Sequence, residues 1–175
     1  VSDRPEPSTD DRGFGIDELF FSATDEGGRI LTGNAVFTRV SGYTADELHG
    51  RAHNVVRHPD TPRVVFRILW EHLQAGEPVA AFVKNRTKDG RAYWVVATAG
   101  PVEGGYLSVR FAPSGEHFAI VREVYRELVE VERAAEAGGA GRSDAIEASR
   151  ARLDVLLADL GFAGYDAFMR AFLPA

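Results

Sequence analysis

Residues 80–112 read AAFVKNRTKDGRAYWVVATAGPVEGGYLSVRFA, and this stretch decides the fold class. Residues 80–87, 91–99 and 106–112 are rich in β-branched and aromatic types, with the turn sequences KDG and VEGG between them, so the spacing predicts an antiparallel meander. In the middle run Tyr93, Val95, Ala97 and Ala99 fall on one face and Trp94, Val96 and Thr98 on the other. Both faces are largely apolar, so each needs cover. Asn85 shares a face with Ala81 and Val83, and an amide in such company needs a partner once buried.

Upstream, 19–24 and 29–33 flank DEGG, whose Gly27 and Gly28 can take positive φ, which predicts a hairpin. Asn34 can cap a short helix that Gly42 ends, and Thr44 with Glu47 forms a capping box for the next. Thr61 suits an N-cap and Pro62 a first helical residue. From Pro62 to Gln74 the residues Val65, Phe66, Leu69, Trp70 and Leu73 mark one apolar face, closed by Gly76.

Downstream of Ser114 the pattern turns helical. Val121, Val124, Tyr125, Leu128 and Val131 form one stripe up to the break AGGAGRSD, and a second helix from Ser143 carries Ile146, Leu153, Leu156, Leu157 and Leu160. YDAFMRAFL suggests a third. The acidic residues of REVYRELVEVERAAE alternate with arginines at helical spacing and read mostly as a solvated face. The expected division is a flexible leader, 1–17, a sheet domain, 18–113, and a helical extension, 114–175, with the boundary near 113–116. Strands and helices in this order define an α+β fold.

Of the 175 residues 45% are hydrophobic and 26% charged, the balance of an ordinary globular chain, and the formal charge of -6 argues against a nucleic-acid binder. There is no cysteine, which excludes disulfides, thiolate metal ligands, thiol nucleophiles and a thiol photoadduct with a flavin. No run reaches the roughly 18 apolar residues that span a bilayer, so a cytoplasmic setting without membrane contact is expected. No hydrolase, P-loop or zinc-protease motif stands out, so no enzyme activity is expected.

The loop HNVVRHPDTP, residues 53–62, feeds the N-terminus of the Trp70 helix. Arg57 and His58 beside that terminus could hold an anion such as a pyrophosphate, with Asp60 taking a hydroxyl or orienting Arg57. Arg57 and Asp60 could equally pair with each other in a purely structural loop. A metal held by His53, His58 and Asp60 matches no standard spacing. Haem through one histidine is an alternative, with His49, His53, His58 and His72 as candidates.

The runs VSGYTADELHGRAHNVVRHPDTP, LWEHLQAGEP, VKNRTKDGRAYWV and GYLSVR, in that order, resemble the flavin-binding PAS domain of bacterial aerotaxis receptors, over residues 20–112. The resemblance implies a PAS fold: a five-stranded antiparallel sheet with short helices on one face, around a ligand cavity, here followed by a C-terminal helical extension. It implies a redox or oxygen sensor holding FAD noncovalently, with Asn34, His53, Arg57, His58, Asp60, Phe66, Trp70 and Asn85 at the cofactor. Trp70 would stack on the ring and Asn85 would meet its edge. Where those receptors carry a tryptophan after GEP, this chain has Val79, which keeps open a cofactor-free PAS module for dimerisation or partner docking. Output is expected through the helical extension or a signalling partner, and apolar stripes on the tail helices would favour a homodimer.

Overall fold

In the computed structural model, which describes Gly15, residues 18–114 and residues 117–172, the elements follow one another as the sequence predicts. They are β1 (Phe20–Asp25), β2 (Ile30–Gly33), α1 (Ala35–Ser41), α2 (Ala45–Leu48), α3 (Arg63–Gln74), β3 (Val79–Arg86), β4 (Ala92–Val102), β5 (Gly105–Phe111), α4 (His117–Ala137), α5 (Arg142–Asp159) and α6 (Tyr165–Phe172). The expected leader lies almost wholly outside the described residues, as do residues 115 and 116 of the expected boundary. The described residues form two compact units: one holds those up to Pro59 with His72–Pro113, the other Asp60–Glu71 with those from Ser114 to Phe172.

The first unit is a five-stranded antiparallel sheet in the order β2-β1-β5-β4-β3. Register puts Phe20 opposite Arg110, Arg110 opposite Ala97, and Ala97 opposite Ala81, so these four share the inner face, together with Ser22, Tyr93, Val95 and Asn85. On the second face Phe82 and Val96 are buried whereas Phe21 and Leu107 are exposed. β1 and β5 approach closely at Gly105, where a Cβ would stand 1.9 Å from the Thr24 carbonyl oxygen. Only glycine fits there.

Local chemistry sets the short helices on the inner face. The Asn34 side chain accepts from the Phe37 N–H at 3.1 Å, and Gly42 closes α1 in the left-handed region. Thr44 and Glu47 make the reciprocal capping box of α2. α1 lays Phe37 against Phe20, with ring centroids 5.9 Å apart and nearly parallel.

Residues 50–58 act as a strap joined to both edge strands. Beside β2, Ile30 donates to Arg51 O, Gly50 donates to Ile30 O, each at 2.8 Å, and His53 donates to Gly28 O at 2.9 Å. Beside β3, His58 donates to Lys84 O at 3.2 Å and Arg57 bridges Asn85. Between these anchors a 3-10 turn, His53–Val56, buries Val55 and Val56.

In the second unit α4, α5 and α6 bury Leu128, Leu153, Leu157 and Phe168. Several expectations are corrected here. α3 begins at Arg63 rather than Pro62, and the two N–H groups that a Thr61 cap would take are taken by a carboxylate from α4: Arg63 N donates to Glu132 Oε2 and Val64 N to Glu132 Oε1, each at 3.1 Å. Glu132 is therefore buried, not part of the solvated face, and it continues the stripe Val121, Tyr125, Leu128 in place of Val131. Along α3 the deepest residues are Val64, Val65, Ile68 and Leu73, while Phe66, Leu69 and Trp70 are half-buried. Apolar residues cover more than half the circumference of α3, so periodicity alone does not fix which arc lies deepest. Leu160, just past α5, is exposed. Gly28 takes positive φ at the hairpin turn and Gly27 does not.

Candidate functional site

The polar residues of the inner face converge on Arg110. Strand alternation on β5 turns its side chain inward, where it is only 4% exposed. Its guanidinium carbon lies 5.4 Å from the ring centroids of both Phe20 and Phe37, and Nη2 donates to Ser22 Oγ and to His53 Nε2, each at 2.8 Å. Nη1 is buried with no hydrogen-bond partner, and among the described residues Arg110 makes no ion pair. Desolvation of an unbalanced cation costs several kcal/mol, and a cation over aromatic faces recovers about 0.5–2 kcal/mol per contact. Burial depresses the Arg110 pKa to about 10, offset in part by Tyr93, so the group is still charged at neutral pH.

His53 enters the cluster from the strap, its ring stacked on Phe37 at 5.9 Å and 4°. Arginine can only donate, so Nε2 accepts and the ring proton sits on Nδ1. Burial, and then the charge of Arg110, lower its pKa to about 3. His53 is therefore neutral. Tyr93, fully buried beside its cross-strand neighbour Asn85, has its hydroxyl pKa raised by burial, so it too is uncharged. Arg110 carries the charge of this cluster.

The other candidates are distributed over both units. Asn85 is buried on the inner face, and Arg57 and His58 sit at the β3 end of the strap. Asn34 is half-buried, its amide donating to Leu19 O at 3.3 Å as it caps α1. Asp60, Phe66 and Trp70 fall in the second unit, where Asp60 lies 3.6 Å from Arg133. His49 Nδ1 contacts Leu31 O at 2.9 Å on the surface. Val79 stands opposite Ala99 on the inner face, so the position lines the same space as Arg110. Sequence reading missed Arg110. The available signal was its two-residue spacing from Ser108 along β5.

The sheet unit has the PAS fold: its strand order is β2-β1-β5-β4-β3, and residues 30–109 match the family described as PAS fold. Within that class the chain is 44% identical over 117 residues to the aerotaxis receptor of Escherichia coli (strain K12), covering 64% of this chain and 23% of the receptor. It is 33% identical over 82 residues to the biofilm dispersion protein BdlA of Pseudomonas aeruginosa, covering 46% of this chain and 20% of that protein. The chain thus spans less than a quarter of the length of these curated relatives.

Among solved structures, a light-oxygen-voltage domain studied with a flavin analogue superposes with a TM-score of 0.54 at 22% identity, covering 63% of this chain and 89% of that one. The light state of the blue-light photoreceptor Aureochrome1 domain gives 0.51 at 20% identity, covering 58% and 85%. These likenesses show the fold. Among the described residues no helix is long and apolar enough to cross a membrane.

Proposed function

We propose that the PAS domain is a cytoplasmic redox or oxygen sensor that holds FAD, or a related flavin, noncovalently against the inner face of its sheet. It passes its signal to the C-terminal helices or to a partner protein and catalyses no reaction of its own. The observation that carries this reading is the buried Arg110 Nη1 without a hydrogen-bond partner, on the same sheet face as the buried Asn85. An unmatched donor inside a domain is costly unless a ligand accepts from it. A flavin ring edge alternates donors and acceptors, and so suits this guanidinium and amide. When bound, the flavin supplies a redox couple, and the residues here bind and orient it.

The pyrophosphate of FAD would meet Arg57 and His58 at the β3 end of the strap. Arg57→Ala and Trp70→Ala should weaken flavin binding while Arg142→Ala should not. The decisive measurement is the absorption spectrum of the purified chain before and after FAD is added. No flavin band after addition removes the reading, and an intense Soret band would replace it with haem.

A second reading is favoured by the stack of Phe20, Phe37 and His53, with successive rings 5.9 Å apart, together with the small Val79. Side chains then fill the interior, and the domain serves as a cofactor-free dimerisation or docking module. Native mass measurement separates the two: a dimer without cofactor supports the second, a bound FAD mass the first.

A further inference from the structure

Arg110 is anchored on one side only. Nη2 is held by Ser22 and His53, the guanidinium lies over Phe20 and Phe37, and Nη1 is buried with nothing to accept from it. No carboxylate balances it among the described residues. A structural role would be met more simply by a neutral side chain, since a buried cation without a counter-ion is destabilising.

We propose that Arg110 is the residue through which this domain discriminates between the redox states of its flavin, Nη1 donating to an acceptor atom on the ring edge. The inference rests on the flavin reading above. It assigns to Arg110 a role beyond binding.

The chemistry follows from charge. When a donor of the dihydronicotinamide class transfers hydride, its C–H bond breaks, the hydrogen and the electron pair pass to the ring, and the donor leaves as the oxidised nicotinamide. The ring gains one negative charge. A guanidinium held in a desolvated site stabilises that charge far more than water-exposed arginine would, so the reduced ring need not take up a further proton. His53 cannot share this task, because burial and Arg110 keep it neutral. A tighter hold of Nη1 on the ring also draws on the Nη2 bonds to Ser22 and His53. His53 belongs to the strap, and the strap is bonded to both sheet edges, so the change reaches β2 and β3 together.

The test uses the full chain, wild type and the variants Arg110→Gln and Arg110→Lys, each loaded with FAD and desalted. Bound flavin is measured first. If the wild type retains none, the flavin reading fails and this inference falls with it. If it does retain flavin, midpoint potentials are compared by reductive titration. Arg110→Gln should shift the preference for the reduced ring at least tenfold toward the oxidised one, which lowers a two-electron potential by about 30 mV, and Arg110→Lys should fall between.

A second measurement needs no variant and decides alone if Arg110→Gln does not fold or does not hold flavin. It follows the wild-type potential over mildly acidic pH, where a free reduced flavin takes up its second proton. Uptake of one proton with two electrons gives about 30 mV per pH unit, whereas two protons give about 59 mV. A slope near the larger value, or an unchanged potential in a flavin-loaded Arg110→Gln, overturns the role of Arg110 and leaves flavin binding standing.

Discussion

Replacing Glu132 with alanine should destabilise the helical unit far more than its place among the many acids of a charged helix suggests. Its two carboxylate oxygens accept from Arg63 N and Val64 N at 3.1 Å, and the residue is 4% exposed. Val64 is fully buried, so water cannot reach its N–H when the carboxylate is removed. An orphaned buried donor costs about 1–3 kcal/mol. Loss of an N-cap at a partly exposed position such as Arg63 adds about 1 kcal/mol.

Together Glu132→Ala should therefore cost about 2–4 kcal/mol. Glu132→Gln keeps the shape and one acceptor oxygen, so it should lose about half of that. Glu136 is the internal control, because it also reaches α3, forking onto Arg63 with one bond of 3.0 Å, but at the surface. Glu136→Ala should leave the midpoint close to that of the wild type, since an ion pair at the surface is screened by water. Urea denaturation followed by far-ultraviolet circular dichroism measures all three. A Glu132→Ala midpoint equal to that of Glu136→Ala, at unchanged slope, would refute the capping role.

Other outcomes follow from the sheet unit. The pKa of His53 is about 3 in the fold against 6.5 for an unperturbed histidine, so its contribution to stability is complete above 6.5 and is lost as pH falls toward 3. At pH 5 the loss should approach about 2 kcal/mol. In His53→Gln that part of the pH dependence should vanish, and an unaltered profile between neutral pH and pH 5 would contradict the buried, neutral assignment. Gly105→Ala should cost more than about 2 kcal/mol in a thermal or urea melt, since the new Cβ would stand 1.9 Å from Thr24 O; a wild-type melting curve would show that β1 and β5 do not approach so closely. Val79→Trp adds an aromatic wall to the inner face and should tighten FAD binding by about 0.5–1.5 kcal/mol, read by fluorescence titration. Weaker binding in this variant would mean that the ring does not lie beside β3.

What could be read from the sequence was mostly what short-range chemistry controls. The Asn34 cap, the Thr44–Glu47 box, the hairpin at DEGG and the meander are each written in residues a few positions apart, and each forms as expected. The two residues that matter most to the inner face and to α3 escaped for a shared reason. Arg110 acquires its meaning from Ser22, Phe20 and His53, which long-range strand pairing alone brings to it. Glu132 looks like solvent-facing charge by type, although its spacing of four from Leu128 and seven from Tyr125 sets it on the buried stripe. At both positions periodicity pointed inward while residue type pointed outward. His53 and Asn85, chosen from sequence, do lie on the inner side of the sheet unit, and the loop that carries His53 serves as an edge strap, which its composition did not announce.

That strap bears on how copies of this domain can meet. A sheet left open at its sides invites strand addition from another chain. Here the outward hydrogen-bonding row of β2 is filled at Ile30 from Gly50 and Arg51, with His49 on the Leu31 carbonyl, and that of β3 is filled at Lys84 and Asn85. Growth of the sheet by edge-to-edge pairing is opposed on both sides from within the chain itself. Any self-assembly of the sheet unit is thereby directed toward contacts between faces, such as the one bearing exposed Phe21 and Leu107, rather than toward open-ended fibres.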